Sequence, residues 1–333
     1  GTLGSLKDGQ MTSIGLIYRF LTDHAPGVST YYGKGLQWRE WRDMSELWFG
    51  WGVNNQIARA YGWLASRYRE GDRIFIIGYS RGAFAARSLA GMVGRVGLLR
   101  HDNAMERHVD HAWRLYEAGA DPAHTRSFRQ ALCHAATPIE MVGVFDTVMA
   151  LGNQLPLFWM LSEPRYRFHD HHLGAHVRFG FHALALDETR SIFEPLLWES
   201  AASEADRIEQ RWFRGCHGDV GGQLGGHEAA RPLANIPLVW MLERAARAGL
   251  PLPDGWQDRF PQDPQAPSVG SWGGWGKLFL LRAPRVVGRD PSEALHATAI
   301  GAQTPRRMWI FPQRLRARLP RAHDKAGGGA GRI

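Results

Sequence analysis

Residues 74–97 read IFIIGYSRGAFAARSLAGMVGRVG, and their pattern changes period in the middle. An apolar β-branched run from Ile74 to Ile77 stops at Gly78. Tyr79, Ser80, Arg81 and Gly82 follow, and from there small and apolar residues recur at helical spacing, with Ala83, Ala86, Leu89, Ala90 and Val93 on one face. This is G-x-S-x-G between a strand and a helix, the setting of a nucleophile elbow. A serine in that place sits on a tight, strained turn with its hydroxyl at the carboxyl end of the strand. Glycines at 78 and 82 keep side chains out of the strand–helix contact. The helix that follows aims its N-terminal N–H groups and the positive end of its dipole at the same point.

Outward from the elbow, residues 52–69 place Val53, Ile57, Ala60, Tyr61 and Leu64 at helical spacing, and residues 11–22 also suit a helix. Residues 107–134 read as helical and polar. Ile139 to Phe145 (IEMVGVF) is a nearly continuous apolar run, the pattern of a strand buried on both faces of a parallel sheet. It ends in Asp146-Thr147. Residues 151–173 contain LPLFWML and a His/Arg-rich patch, and read as an excursion able to cover a site. Residues 176–188 (HVRFGFHALALDE) read as a helix. Residues 208–214 form a further strand, ending in the glycine-rich run Gly215 to Gly222, which reads as a loop carrying His217. Residues 234–248 form a helix that stops at Gly249, and 252–275 form a long irregular loop. Strand and helix in alternation predict an α/β fold with a mainly parallel sheet and helices on both faces. Ligands on such sheets bind at the carboxyl ends of the strands. Ser80, Asp146 and His217 each follow a predicted strand, so they are expected to converge.

Acyl transfer by a serine needs a histidine base and a carboxylate that fixes the histidine tautomer. Ser80, Asp146 and His217 follow the chain order nucleophile, acid, base that an α/β-hydrolase fold uses. Asp146 leaves a buried strand, where an unpaired carboxylate is costly. Among the 15 histidines, His296 is the second choice of base. His182 reads as packing, and His169, His171 and His172 as a surface patch or a weak metal site. Asp219 reads as a turn cap. The expected oxyanion donor beside Ser80 is the backbone N–H of Arg81. Leu157, Phe158, Trp159 and Met160 read either as a lid or acyl site or as core.

The chain of 333 residues is 44% hydrophobic and 22% charged, which fits a globular enzyme. No apolar run approaches the length needed to span a bilayer and the start does not read as a signal peptide, so a cytoplasmic location is the default expectation. Two cysteines, Cys133 and Cys216, give neither a disulfide framework nor a metal-ligand set. No metal or cofactor is expected. The net charge is +8, and residues 306–333 carry Arg306, Arg307, Arg314, Arg316, Arg318, Arg321, Lys325 and Arg332 against the single acid Asp324. The body is therefore near neutral, and no nucleic-acid partner is expected for it. The basic stretch suits contact with acidic phospholipid or nucleic acid, or a solvated tail, and residues 313–333 are expected to lie outside a domain running from 1 to 312.

GYSRGAFAARSLAGMVGRVGLL (78–99), VGVFDTV (142–148), HALALDETRSIFEPL (182–196) and WFRGCHGDVGG with LANIPLVWML (212–222 and 233–242) resemble, in order and spacing, an α/β-hydrolase family that includes type VI secretion phospholipase effectors. The resemblance implies an esterase or lipase of phospholipase A type, with Ser80 as nucleophile, Asp146 as acid and His217 as base. Family members begin with an apolar strand leading into Asp-Gly-Thr. This chain opens at Gly1-Thr2, so the resemblance implies a truncated first strand and places a second oxyanion donor near Thr2 and Leu3. Rival readings are a small-ester or thioester hydrolase with a closed pocket, and a scaffold of the same fold without turnover. Delivery by a secretion system is compatible with the resemblance but does not follow from it.

The tail makes a test of its own. Each Lys or Arg near an anionic surface contributes about 1 kcal/mol, screened by salt. Deletion of residues 314–333 is expected to weaken sedimentation with anionic vesicles at low salt and to leave hydrolysis of a soluble ester unchanged.

Overall fold

The computed structural model describes residues 6, 9–33, 51–119, 121–148, 171–204, 206–272, 281–300 and 309–310. Its frame is a five-stranded sheet in the order β1 (Phe75–Tyr79), β2 (Ile139–Phe145), β3 (Val177–Ala185), β4 (Ile208–Phe213) and β6 (Glu293–Leu295), with every neighbouring pair parallel. A second, two-stranded sheet pairs β5 (Val286–Val287) with β7 (Trp309–Ile310).

Helices cover both faces of the main sheet. On one side lie α2 (Trp51–Arg67), α3 (Arg81–Val96), α4 (Glu106–Glu117) and α5 (Pro122–Leu132), which join β1 and β2 in a core of Ile57, Tyr61, Met92, Val96, Val142 and Val144. On the other side lie α1 (Ser13–His24) and α7 (Arg231–Arg247), packed on Met141, Phe145, Phe181 and Phe213 through Ile17, Phe20, Leu238 and Met241. Burying both faces of β2 explains its unbroken apolar sequence: six of its seven residues are buried.

Local chemistry sets the helix ends. Thr12 caps α1 by accepting a bond from the Gly15 N–H at 3.4 Å. Asp121 caps α5 through the Ala123 N–H at 3.0 Å, with Pro122 in the first turn. That cap divides the stretch 107–134, which the sequence reads as one helix. Gly119, at φ 58°, ends α4, and Asp121-Pro122 starts α5.

Residues 176–188 are the larger correction. The sequence reads them as a helix, and they form β3, the middle strand of the main sheet. Short apolar runs satisfy both periods, so periodicity alone does not separate a buried strand from a buried helix. Here tertiary pairing decides, with β2 on one side and β4 on the other. The alternation Phe179, Phe181, Ala183, Ala185 is the side of the strand facing α7. His182 falls on the opposite side and is fully buried.

His182 is held as a neutral ring. Its Nε2 accepts from the Thr147 N–H at 3.1 Å, so the proton sits on Nδ1, which faces Gln210 Oε1 at 3.3 Å. Burial, reinforced by the Arg87 cation, lowers its pKa from 6.5 to about 3. Between those values the unfolded chain takes up a proton that the folded chain refuses, so stability falls as pH drops from 6.5 toward 3. His182→Gln removes this contribution: its loss of unfolding free energy between pH 7 and pH 4.5, from urea titrations, is expected to be smaller than wild type's by about 2–3 kcal/mol.

The elbow makes a second fold-level test. A Cβ at Gly78 would run into the Gly82 carbonyl and lie 2.7 Å from the Ala83 Cα, both backbone atoms that cannot turn aside. Gly78→Ala is expected to lower the urea-unfolding free energy by about 2–3 kcal/mol, the scale of an overpacked core.

Candidate active site

Four successive strands end side by side, and the loop that leaves each one contributes to a single cluster. Backbone bonds tie these ends together: Ser80 N–H to Phe145 O at 3.0 Å, Asp146 N–H to Ala183 O at 2.7 Å, and Leu186 N–H to Phe213 O at 2.9 Å. Ser80 follows β1 and precedes α3 with φ 58° and ψ −125°, a conformation an L-residue adopts only under constraint. Asp146 follows β2 and also has positive φ, 39°. These are the two non-glycine residues with positive φ among those described, and both carry side chains into the cluster.

The three side chains form one hydrogen-bonded line. His217 Nε2 lies 2.9 Å from Ser80 Oγ, and His217 Nδ1 lies 2.6 Å from Asp146 Oδ2. Ser80 and His217 are each 5% exposed and Asp146 is 0% exposed. His217 is not in a free loop, as the sequence reads it. It is the first residue of a short helix, α6 (His217–Gly221), because the Asp219 carboxylate accepts the Cys216 N–H at 2.8 Å and so closes the turn. Asp219 also takes the Val269 N–H at 2.9 Å, which ties the long loop to the turn. The expectation that Asp219 caps the turn matches this geometry.

Burial opposes charge on Asp146, but the Arg285 guanidinium, His217 and the Ala185 N–H together bring its pKa down to about 2. Arg285 Nη2 donates to Oδ2 at 3.1 Å and the Ala185 N–H to Oδ1 at 3.1 Å. A carboxylate with donors on both oxygens stays ionised even where water is absent.

The histidine is held as firmly as the acid. Its backbone N–H donates to Glu188 Oε2 at 3.1 Å, and its carbonyl accepts from the Tyr79 hydroxyl at 3.1 Å. Its ring packs against Phe193, stacked at 4.6 Å and 13°, and against Tyr79, tilted at 4.8 Å and 36°. Glu188 is fully buried and also accepts both Arg190 Nε and Nη2, at 2.8 and 2.7 Å; Arg190 in turn lies over the Phe193 ring at 4.3 Å. Burial raises the cost of the Glu188 charge, but the bonds from Arg190 outweigh it and lower its pKa.

Arg285, Glu188, Arg190, Phe193 and the ring of Tyr79 were not assigned roles from the sequence. For Glu188, Arg190 and Phe193 the signal was the block DETRSIF, present at 187–193 but silent about geometry. Arg285 has no motif around it. The other candidates fall elsewhere. His296 stacks on Phe213 at 4.6 Å and bonds Thr298 Oγ1 at 2.8 Å, away from Ser80. His171 and His172 flank Glu199 at the surface. Cys216 is buried, its thiol pushed far above the ordinary range by burial and by Asp219 and Glu188, with Sγ facing Gly270 O at 3.3 Å. Thr2, Leu3, His169, Leu157, Phe158, Trp159 and Met160 lie outside the described residues, as does nearly all of the basic tail. Among the described residues no helix is long and apolar enough to cross a membrane.

An ordered Ser–His–Asp line on a parallel sheet can remove a proton from a hydroxyl and stabilise the imidazolium that forms. The chain is similar to known proteins. An uncharacterized protein of Saccharomyces cerevisiae, YEL023C, is 30% identical over 166 residues, 46% of this chain and 23% of the yeast protein. A solved structure of the Tle1 effector bound to the VgrG spike from the Type 6 secretion system superposes with a TM-score of 0.32 at 16% identity, over 64% of this chain and 40% of that one. The chain thus spans less than two thirds of either relative. A family model described as T6SS, phospholipase effector Tle1-like, catalytic domain, matches residues 1–244. With a match over most of its 333 residues, the chain belongs to the family of Tle1-like phospholipase effector catalytic domains.

Proposed function

We propose that the chain is a serine hydrolase that cleaves carboxylic esters of lipids, a phospholipase A-type activity, through Ser80, His217 and Asp146. The observation that carries this reading is the continuous line from Ser80 Oγ to His217 Nε2, at 2.9 Å, and from His217 Nδ1 to Asp146 Oδ2, at 2.6 Å. His217 takes the proton of Ser80 as the oxygen attacks the ester carbonyl. Asp146 holds the imidazole in the tautomer with its proton on Nδ1 and stabilises the cation that forms. The tetrahedral oxyanion is received by the N–H of Arg81, the first residue of α3, where the helix dipole is positive. His217 then gives its proton to the leaving alcohol. Water, activated by the same histidine, releases the acyl group from Ser80.

Two features of the site support ester chemistry by serine rather than by thiol. Ser80 sits at the strained residue of the elbow with a base in contact. Cys216, next to that base in sequence, is kept protonated by burial and by the acids beside it. The lipid class follows from family membership, since the matching family is one of phospholipase effectors.

The test is a set of three variants. Ser80→Ala and His217→Ala are each expected to reduce hydrolysis of phospholipid and of a soluble ester by on the order of 10³-fold or more, because such residues act as a unit. Asp146→Asn is expected to fall by on the order of 10³–10⁴-fold, since the amide favours the wrong histidine tautomer. Melting temperature controls for folding, and a fluorophosphonate probe should label wild type at Ser80 and leave Ser80→Ala unlabelled. Undiminished turnover in folded His217→Ala would reject this assignment of the base.

A further inference from the structure

The carboxylate of Asp146 is gripped from a part of the chain that lies beyond the family match. Arg285 Nη2 donates at 3.1 Å to Oδ2, the same oxygen that faces His217 Nδ1 at 2.6 Å, while Oδ1 takes the Ala185 N–H. We infer that Arg285 is a positioning residue for the Asp146–His217 pair, fixing the carboxylate rotamer and balancing its charge. This inference rests on the serine-hydrolase reading.

Three observations carry it. First, the contacts lock both carboxylate oxygens, so Asp146 cannot turn about its terminal torsion without breaking a bond to Arg285, His217 or Ala185. Second, the guanidinium is buried, 7% exposed, and its Nη1 has no hydrogen-bond partner among the described residues. A buried cation with an open donor is an expensive way to fill space, and an apolar side chain would serve stability better. Third, the segment that carries it is anchored on both sides. The Ala283 N–H bonds Thr189 O at 2.8 Å, and Val287 packs in an apolar cluster with Leu184, Leu186, Trp212 and Ala299. The strap therefore delivers Arg285 to a fixed place, and the matched residues 1–244 do not include it.

The charge effect has two signs. The cation favours the ionised form of Asp146, and by the same field it disfavours adding a further proton to the pair. The other titratable or charged groups around the pair are Tyr79 from β1, His182 from β3, Arg87 from α3, Glu188 and Arg190 after β3, and Cys216 and Asp219 after β4; a change at Arg285 leaves all of them in place. Loss of the guanidinium should therefore loosen the acid and at once move protonation of the pair to higher pH.

Arg285→Met and Arg285→Gln remove the charge, and Arg285→Lys keeps it. Each is measured in the full chain with a soluble p-nitrophenyl ester, and, without substrate, by proton NMR of the far-downfield His217 Nδ1–H, assigned through its loss in His217→Ala. The neutral variants are expected to lower kcat by on the order of 10–100-fold with KM within about twofold of wild type. They should also move the acidic limb of kcat/KM to higher pH and shift the downfield resonance, with Arg285→Lys restoring much of both. In an Asp146→Asn background the Arg285→Met change should add little. A resonance and an acidic limb left where wild type has them, in either neutral variant that folds, overturn the inference. So does a raised KM with unchanged kcat, which would make Arg285 a substrate ligand. Since the resonance is read without turnover, a shift in a protein that hydrolyses no ester would keep the positioning role and reject the hydrolase reading.

Discussion

A negative charge held where no solvent reaches it is the constraint from which the rest of this site follows. Asp146 is fully buried at the end of a strand that is itself enclosed on both faces. Such a charge is tolerated only with donors on its oxygens and a cation nearby. The structure supplies a backbone N–H from the next strand, an imidazole from the short helix after β4, and a guanidinium from Arg285, late in the chain. Each partner comes from a different element, so satisfying one carboxylate draws four separated stretches of sequence to one point. The sheet could pair without this charge, but these loops would have no reason to meet.

A second buried carboxylate does for the histidine backbone what Asp146 does for its ring. Glu188 accepts the His217 N–H and bonds from two guanidinium nitrogens of Arg190, and Arg190 also contacts Phe193, which stacks on the imidazole. Tyr79 also packs against the imidazole, whose two nitrogens face Ser80 Oγ and Asp146 Oδ2. The two acids are thus opposite in role: one faces the imidazole proton, and the other sits outside the proton path and holds its frame.

How much of this could be read beforehand depends on whether the information is local. The elbow at Gly78 to Gly82 has its strand, its turn and its helix in one window, so its pattern suffices. β2 is equally plain, because burial on both faces forces an apolar run. β3 is not, since Val177 to Ala185 satisfies two periods and only its neighbours choose between them. The order of Ser80, Asp146 and His217 along the chain was legible. The turn that makes His217 the start of a helix depends on one bond from Asp219 and was not. Arg285 stands at the opposite extreme: 139 residues separate it from its partner, and nothing in its own surroundings marks it.

The in-register pairing of the strands has a further meaning. Tyr79 lies opposite Phe145, and Phe145 opposite Ala183, so Ser80 and Asp146 leave the sheet level with one another. A shift of one residue between β1 and β2 would turn each side chain to the opposite face and carry the hydroxyl about 3.3 Å along the strand, beyond hydrogen-bond reach of the His217 imidazole that follows β4. Sheet alignment is therefore part of the reactive geometry. Residues with no chemistry of their own, such as Val142, Val144 and Phe181, set the distance between serine and acid as surely as the groups that touch them. Mutational sensitivity in this fold should follow the strand interiors as well as the pocket they end in.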